Sequence, residues 1–247
     1  MFGLLLAGLL AFMLEAGYRA GAHFRIHQDA ARKEQLDTIR DGLFVLVSLI
    51  LGFTLALAAP RFADRRTLLV EEAIAIGTAY LRAGTLPEPQ RSRSQDLFRK
   101  YVHARRDFNN AGLDASHFNE ASIRSKQIHD ELWKDAAAAV QLDRSAIASA
   151  YIESLTETID LHEKRVAAIE NRVPASIWLL VVSVGVIAVF TRGLTLRSRF
   201  WLNLLVPVTI AIVAALIDDL DTPSSGLVRR DQRAMQRLEV DLRSGPR

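Results

Sequence analysis

Three carboxylates follow the last apolar run of the sequence, and they are the residues best suited to hold a metal ion. Asp218, Asp219 and Asp221 lie within four positions of one another, directly after the apolar segment 200–217. Ca²⁺ prefers several oxygen ligands, which a tight turn can supply. The same cluster is also typical of a simple boundary with water. A third interpretation pairs the acids with arginines near the other apolar segments: Arg61, Arg65, Arg66 and Arg172.

The other potential ligands and nucleophiles indicate no catalytic centre. His23 and His27 are four positions apart on a predicted helix, a spacing that can bind a metal, but no third ligand follows at a telling interval. The sequence has no phosphate-binding glycine loop, no HExxH pattern and no nucleophile elbow. It has no cysteine, which excludes disulfides and zinc–thiolate sites. We therefore predict no catalytic residue and no enzyme.

Four long apolar segments must position these residues, and they predict an all-α membrane protein. They cover 2–14, 42–59, 174–190 and 200–217, and a bilayer core of about 30 Å asks for about 20 helical residues. The first segment is short, and no basic residue precedes it, so we interpret it as a retained span rather than a signal peptide. We expect the second to stop at Pro60 and the fourth to kink at Pro207.

Charged residues concentrate between the second and third segments, which predicts a helical lobe outside the membrane. Of 247 residues half are apolar, and the net charge of +3 is spread over interleaved acids and bases, so no patch indicates nucleic acid. Lys and Arg are balanced about the spans and do not predict which side faces the cytoplasm. We divide the chain into two spans with a connecting polar helix, the lobe, a span hairpin, and an acidic turn with a basic amphipathic tail: 1–59, 60–173, 174–217 and 218–247.

Small residues recur at every fourth position in two of the spans. Gly3, Ala7 and Ala11 form one such stripe, and Gly52 and Ala56 form another. Stripes of this kind allow helices to approach closely in lipid. The pattern fits packing within one subunit or packing between subunits around a pore.

Three segments resemble a family of uncharacterised bacterial bestrophin-like membrane proteins. They are "RFADRRTLLVEEAIAIGTAYLRAGTLPEPQR" at 61–91, "DLHEKRVAAIENRVPASIWLL" at 160–180 and "LIDDLDTPSSGLVRRDQ" at 216–232. The family usually has Asn after "EEA" and Arg before the proline of the last motif, where this chain has Ile74 and Thr222. If that Arg pairs with the acids, this chain lacks the contact.

The resemblance implies a homo-oligomeric ion channel with a pore lined by the second span. Bestrophins are pentameric anion channels with four spans and a helical region after the second, and animal members carry a Ca²⁺-binding acidic cluster after the fourth. By this analogy the chain would lie in a bacterial inner membrane with its lobe in the cytoplasm, and its partners would be lipid, ions and further copies of itself, not nucleic acid. A non-conducting scaffold or signalling partner whose lobe docks other proteins is the alternative.

If the chain forms such a channel, we expect three groups of residues to line its pore, bind Ca²⁺ and form ion pairs. One face of the second span would form an apolar constriction gated by wetting, made of Phe44, Val47, Leu51 and Thr54 or Leu55. Possible Ca²⁺ ligands are Asp218, Asp219 and Asp221. Ion pairs that tie the lobe to the membrane would come from Arg61, Arg65, Arg66, Glu71, Glu72, Arg82, Arg165 and Arg172.

Overall fold

The protein is all-α in the part of the chain that its structure, a computed structural model, describes: residues 2–24, 26, 30–110, 115–142, 146–196, 201–222 and 233–244. No strand occurs among these residues, which confirms the predicted class. A short 3₁₀ helix, Trp201–Leu204, precedes α7. The helices are α1 (Phe2–His23), α2 (Ala30–Ala83), α3 (Gln90–Asn110), α4 (Ala115–Leu142), α5 (Ala146–Glu170), α6 (Ala175–Thr195), α7 (Leu205–Asp221) and α8 (Arg233–Ser244).

Four helical segments are long and apolar enough to cross a membrane, by length and composition. They are Phe2–His23, Ala30–Ala83, Ala146–Thr195 and Trp201–Asp221. With its 54 residues, α2 is about 80 Å long, more than twice the thickness of a bilayer core. Only its uncharged stretch, 42–59, therefore fits inside a membrane. The same length argument applies to Ala146–Thr195, of which only the apolar part, α6, fits inside a membrane.

Pro60 and Pro207 do not interrupt the spans in the way that the sequence predicts. Pro60 does not end the second span, because α2 continues through it to Ala83. A proline inside a helix removes one hydrogen bond and crowds the carbonyl group four residues earlier. Pro60 is an exposed residue at the end of the uncharged stretch, and the helix continues in spite of this local cost. Pro207 is the third residue of α7, where the N–H groups have no partner within the helix in any case. Pro207 therefore lies at the start of a helix. In place of the expected kink, the fourth span has a 3₁₀ helix, Trp201–Leu204, immediately before α7.

The first of two compact units comprises Met1–Pro60 and Arg172–Asp221. Its core is formed by α1, α6 and α7 together with one face of α2. Leu6, Leu10 and Leu14 of α1 recur every fourth position and are buried, so one helical stripe supplies the contact surface. At the start of the two helices, the ring of Phe2 in α1 packs edge-on against that of Trp178 in α6, 5.1 Å away.

The second unit comprises Arg61–Asn171 and Thr222–Arg247. Its core contains large side chains from α3 and α5, such as Phe98 and Tyr151, and leucines of α4 and α5. The amphipathic α8 packs on this core through Met235, Leu238 and Leu242. The described part of the C-terminal segment, Thr222 and α8, thus belongs to the same compact unit as the lobe.

Candidate functional site

The uncharged stretch of α2 has two faces with different surroundings. Val47, Leu51, Thr54 and Ala58 form a stripe that is buried in the core of the first unit, each no more than 6 % exposed. The opposite face is open. Val45, Leu49 and Phe53 are more than half exposed, and a Cβ atom added at Gly52 would meet nothing within 4 Å.

The burial of this stripe bears directly on the predicted pore lining. Val47, Leu51 and Thr54 point into their own subunit, whereas Phe44 and Leu55 are half-buried at its border. A side chain packed inside its own subunit cannot face an axial path between subunits. That these residues line a pore stays a prediction; in the single chain, three of the five are buried on the face of α2 that packs in the first unit.

Glycines bring α1 and α6 into direct backbone contact. A Cβ atom on Gly17 would lie 2.2 Å from the carbonyl oxygen of Phe190, and one on Gly21 would lie 2.3 Å from that of Leu194. From the other side, a Cβ on Gly193 would lie 2.4 Å from the carbonyl oxygen of Leu14. These distances leave room for no side chain at all. The stripe that begins at Gly3 also packs within the subunit, since a Cβ at Gly3 would lie 2.5 Å from that of Ala215 in α7.

The lobe contains a buried cluster of charged side chains centred on Glu72. Its carboxylate binds Arg105 of α3, with Arg105 Nε 2.7 Å from Glu72 Oε1, and it also accepts a hydrogen bond from Arg165 of α5. All three residues are at most 3 % exposed. The hydroxyl of Tyr101 lies 3.3 Å from Glu72 Oε1 and 3.3 Å from His162 Nδ1. The cluster therefore joins α2, α3 and α5.

The protonation of this buried cluster follows from its charges. Burial by itself would raise the pKa of Glu72, but the guanidiniums of Arg105 and Arg165 outweigh it and lower the pKa to about 2. Burial, followed by the charge of Arg105, lowers the pKa of His129 to about 4 and that of His162 to about 3. Glu72 is therefore ionised and both imidazoles are neutral at pH 7.

The eight residues predicted to form ion pairs between the lobe and the membrane have different surroundings. Glu72 and Arg165 are partners inside the second unit, and ion pairs that tie the lobe to the membrane stay a prediction. Arg82 donates to the carbonyl oxygen of Ala150 at 2.7 Å and lies 4.0 Å from the exposed carboxylate of Glu153. The remaining five are dispersed between buried and exposed positions: Arg65 is buried, Arg61 half-buried, and Arg66, Glu71 and Arg172 exposed.

The acidic cluster after the last span makes a contact with the peptide backbone. Asp221 is 5 % exposed, and its two carboxylate oxygens lie 3.1 and 2.9 Å from the backbone N–H of Val173, which donates to them. Val173 lies two residues before α6, where a negative charge is favourable next to the first N–H groups of a helix. Among the described residues, no three acidic or histidine side chains form a group able to hold a metal. The structure therefore gives the proposed Ca²⁺ site at Asp218, Asp219 and Asp221 no support, and Asp221 instead joins the end of α7 to the start of α6.

Replacing Asp221 by alanine is expected to lower the free energy of unfolding by about 1–3 kcal/mol, because the buried N–H of Val173 loses its acceptor. Asp160→Ala, at an exposed aspartate of α5, is the matched control and should change little. Thermal unfolding in detergent, with Ca²⁺ and with a chelator, measures the difference. A loss of stability seen only when Ca²⁺ is present would contradict the backbone contact and restore the metal site.

Sequence reasoning missed most of the lobe cluster. Arg105, Tyr101 and His162 carry no motif, and only the fold brings them to Glu72. The glycine contact, by contrast, had a sequence signal that was overlooked. Gly17 and Gly21 form a G-x-x-x-G spacing, which is typical of close helix pairs in membranes.

The whole chain is similar to proteins of known fold. Residues 2–233 match a family model described as a bestrophin-like domain. A structure of a bacterial bestrophin homolog from Klebsiella pneumoniae superposes with a TM-score of 0.72 at 13% identity, over 98% of this chain and 96% of that chain. A second structure of such a homolog from the same organism gives 0.70 at 14% identity, over 98% and 97%. A structure described only as a membrane protein gives 0.69 at 14% identity, over 98% and 97%. No curated protein matches the sequence.

Proposed function

The chain belongs to the bestrophin-like family, and from that premise we propose that several copies assemble into a membrane ion channel whose pore runs along the open face of α2. The family match, which covers nearly the whole chain, is the observation that carries the proposal. Anion conduction, a pentamer, an inner-membrane location and a cytoplasmic lobe complete it by analogy with bestrophins. The four apolar helical segments supply the spans that such a channel needs.

The open face of α2 has the composition of a hydrophobic gate. Val45, Leu49, Gly52 and Ala56 recur at three- and four-residue spacings, and all four are exposed in the subunit. The stretch 42–59 has no charged side chain. Alternating bulky and small apolar residues around an axis would give a path that conducts when wet and closes when water leaves it.

Single cysteines introduced into α2 distinguish the two faces, because the chain has no cysteine of its own. Purified Leu49→Cys in liposomes should lose most of its ion flux on treatment with a charged thiosulfonate reagent, since the added group would block the path. Leu51→Cys, two positions away and buried, should stay unreactive. Leu5→Cys, an exposed position on α1, should also stay unreactive, because a charged reagent does not enter lipid.

Two results would count against the proposal. Block at Leu51→Cys without block at Leu49→Cys would return the lining to the face that is buried in the subunit. Absence of flux from the unmodified protein at every salt concentration and pH tested would favour the alternative, a non-conducting scaffold or signalling partner that docks other proteins through its lobe.

A further inference from the structure

A cavity of about 320 Å³ lies in the first unit, where residues 11–18 of α1, the residue after α6 and the 3₁₀ helix before α7 meet. A volume of this size is at the small end of the range for ligand sites. No residue of this cavity takes part in the proposed pore. Its lining is Ala11, Leu14, Glu15, Tyr18, Leu196, Trp201, Asn203 and Leu204.

The lining separates into an apolar part and a polar part. Ala11, Leu14, Leu196 and Leu204 offer only hydrocarbon. The polar part has one carboxylate, a phenol, an indole and an amide, from Glu15, Tyr18, Trp201 and Asn203. An amphiphile satisfies both parts at once, whereas a fully polar solute would leave the leucines facing water.

Two guanidiniums lie next to the polar part. Arg19 Nε is 2.8 Å from a carboxylate oxygen of Glu15, and Arg192 donates to the side-chain oxygen of Asn203 at 3.3 Å. An ionised carboxylate has about four acceptor positions, so Glu15 can bind Arg19 and a further donor together. Guanidiniums are well suited to phosphate. The rim of the cavity thus presents a negative group and positive groups side by side.

The residues of the cavity are at the depth expected for the boundary between the hydrocarbon core and the lipid headgroups. Glu15 and Arg19 of α1 follow the apolar segment 2–14, and Trp201 begins the segment that crosses back. Trp and Tyr are typical of the boundary between hydrocarbon and headgroups, and their ring faces attract cations. A ligand of this cavity therefore has its charged groups at headgroup depth and its apolar part directed into the bilayer.

We propose that this cavity binds one phospholipid with a primary amine in its headgroup, phosphatidylethanolamine. The ammonium binds the carboxylate of Glu15 between the rings of Tyr18 and Trp201. The phosphate lies near Arg19 and Arg192, and the first part of an acyl chain fills the apolar side. The choline group of phosphatidylcholine can contact the aromatic rings but has no N–H to donate to Glu15. Phosphatidylglycerol has no cation in its headgroup and makes neither contact.

The test is retention of lipid by the purified full chain, measured by native mass spectrometry after addition of phosphatidylethanolamine, phosphatidylcholine or phosphatidylglycerol with identical acyl chains. We expect roughly tenfold better retention of phosphatidylethanolamine than of phosphatidylcholine, the effect of one hydrogen bond to a charged group. Glu15→Gln should remove this preference. Glu34→Gln, at an exposed glutamate of α2, should keep it.

A second pair of variants fills space instead of removing charge. Leu204→Trp should lower the retention of all three lipids because it occupies the cavity, while Leu9→Trp, at an exposed leucine outside the lining, should not. If Glu15→Gln folds poorly, this pair of variants still tests whether the lipid binds in the cavity. Equal retention of the three headgroups, stronger retention of phosphatidylglycerol, or an unchanged preference in Glu15→Gln would each overturn the proposal. None of these outcomes depends on whether the protein conducts ions.

Discussion

Replacing Glu72 by glutamine is expected to lower the free energy of unfolding of the lobe by about 3–5 kcal/mol, the usual effect of removing one partner of a buried ion pair. Glu72 is fully buried, and it is the acid that both Arg105 and Arg165 bind. Glutamine has nearly the same shape but no charge, so the two guanidiniums would remain close together inside the lobe without the carboxylate between them. Their desolvation would then be less well compensated than in the unmodified protein.

The neighbouring residue supplies the matched control for this prediction. Glu71 precedes Glu72 on the same helix and is exposed, so Glu71→Gln should change the stability by no more than about 0.5 kcal/mol. Denaturant unfolding of the purified protein in detergent, followed by circular dichroism, measures both variants. The double variant Glu72→Gln, Arg165→Gln should lose less than the sum of the single losses, because it removes opposite charges from one network. Equal stabilities of Glu71→Gln and Glu72→Gln would show that the cluster contributes little.

Replacing Gly17 by alanine is expected to destabilise the first unit by at least the 1–3 kcal/mol typical of overpacking. The new methyl group would lie 2.2 Å from the carbonyl oxygen of Phe190 and 3.0 Å from the Cα atom of Gly193. Both are backbone atoms, so no flexible side chain can turn away. The two helices would have to separate, and that would disturb the buried stripes on either side of the contact.

Gly8→Ala is the control for the glycine prediction. It adds the same methyl group to the same helix at a position where nothing lies within 4 Å, and alanine favours a helix over glycine by up to about 1 kcal/mol. We therefore expect Gly8→Ala to keep or raise the melting temperature and Gly17→Ala to lower it by several degrees. Thermal unfolding in a single detergent compares them directly. The same melting temperature for the two variants would show that α1 and α6 are not in backbone contact.

The helical class and the position of the spans could be predicted because they depend on length and local composition. An uncharged run of the length of 42–59 has few alternatives to a membrane helix. The end of that helix could not be predicted in the same way. Pro60 is a strong local signal for a stop, but the sequence on both sides favours a helix. The lost hydrogen bond and the crowding by the proline ring were together not enough to end α2.

The details of the candidate sites depended on information that the sequence does not carry. Nearly every residue in 42–59 is apolar, so no periodicity distinguishes the face that packs from the face that stays open. Glu71 and Glu72 are identical in type and adjacent in position, yet one is exposed and the other buried. Only the packing of α3 and α5 against α2 separates them. The role of Asp221 likewise depended on Val173, which is 48 positions away in the chain.

The backbone contact between α1 and α6 also limits how the span bundle can move. Ordinary helix pairs interlock through side chains, which can change rotamer and let one helix slide or roll past its neighbour. Here the carbonyl groups of Phe190 and Leu194 lie where the side chains of Gly17 and Gly21 would be, so a small rotation of either helix would bring a side chain into the other backbone. We therefore expect α1 and α6 to move together in any rearrangement of the first unit.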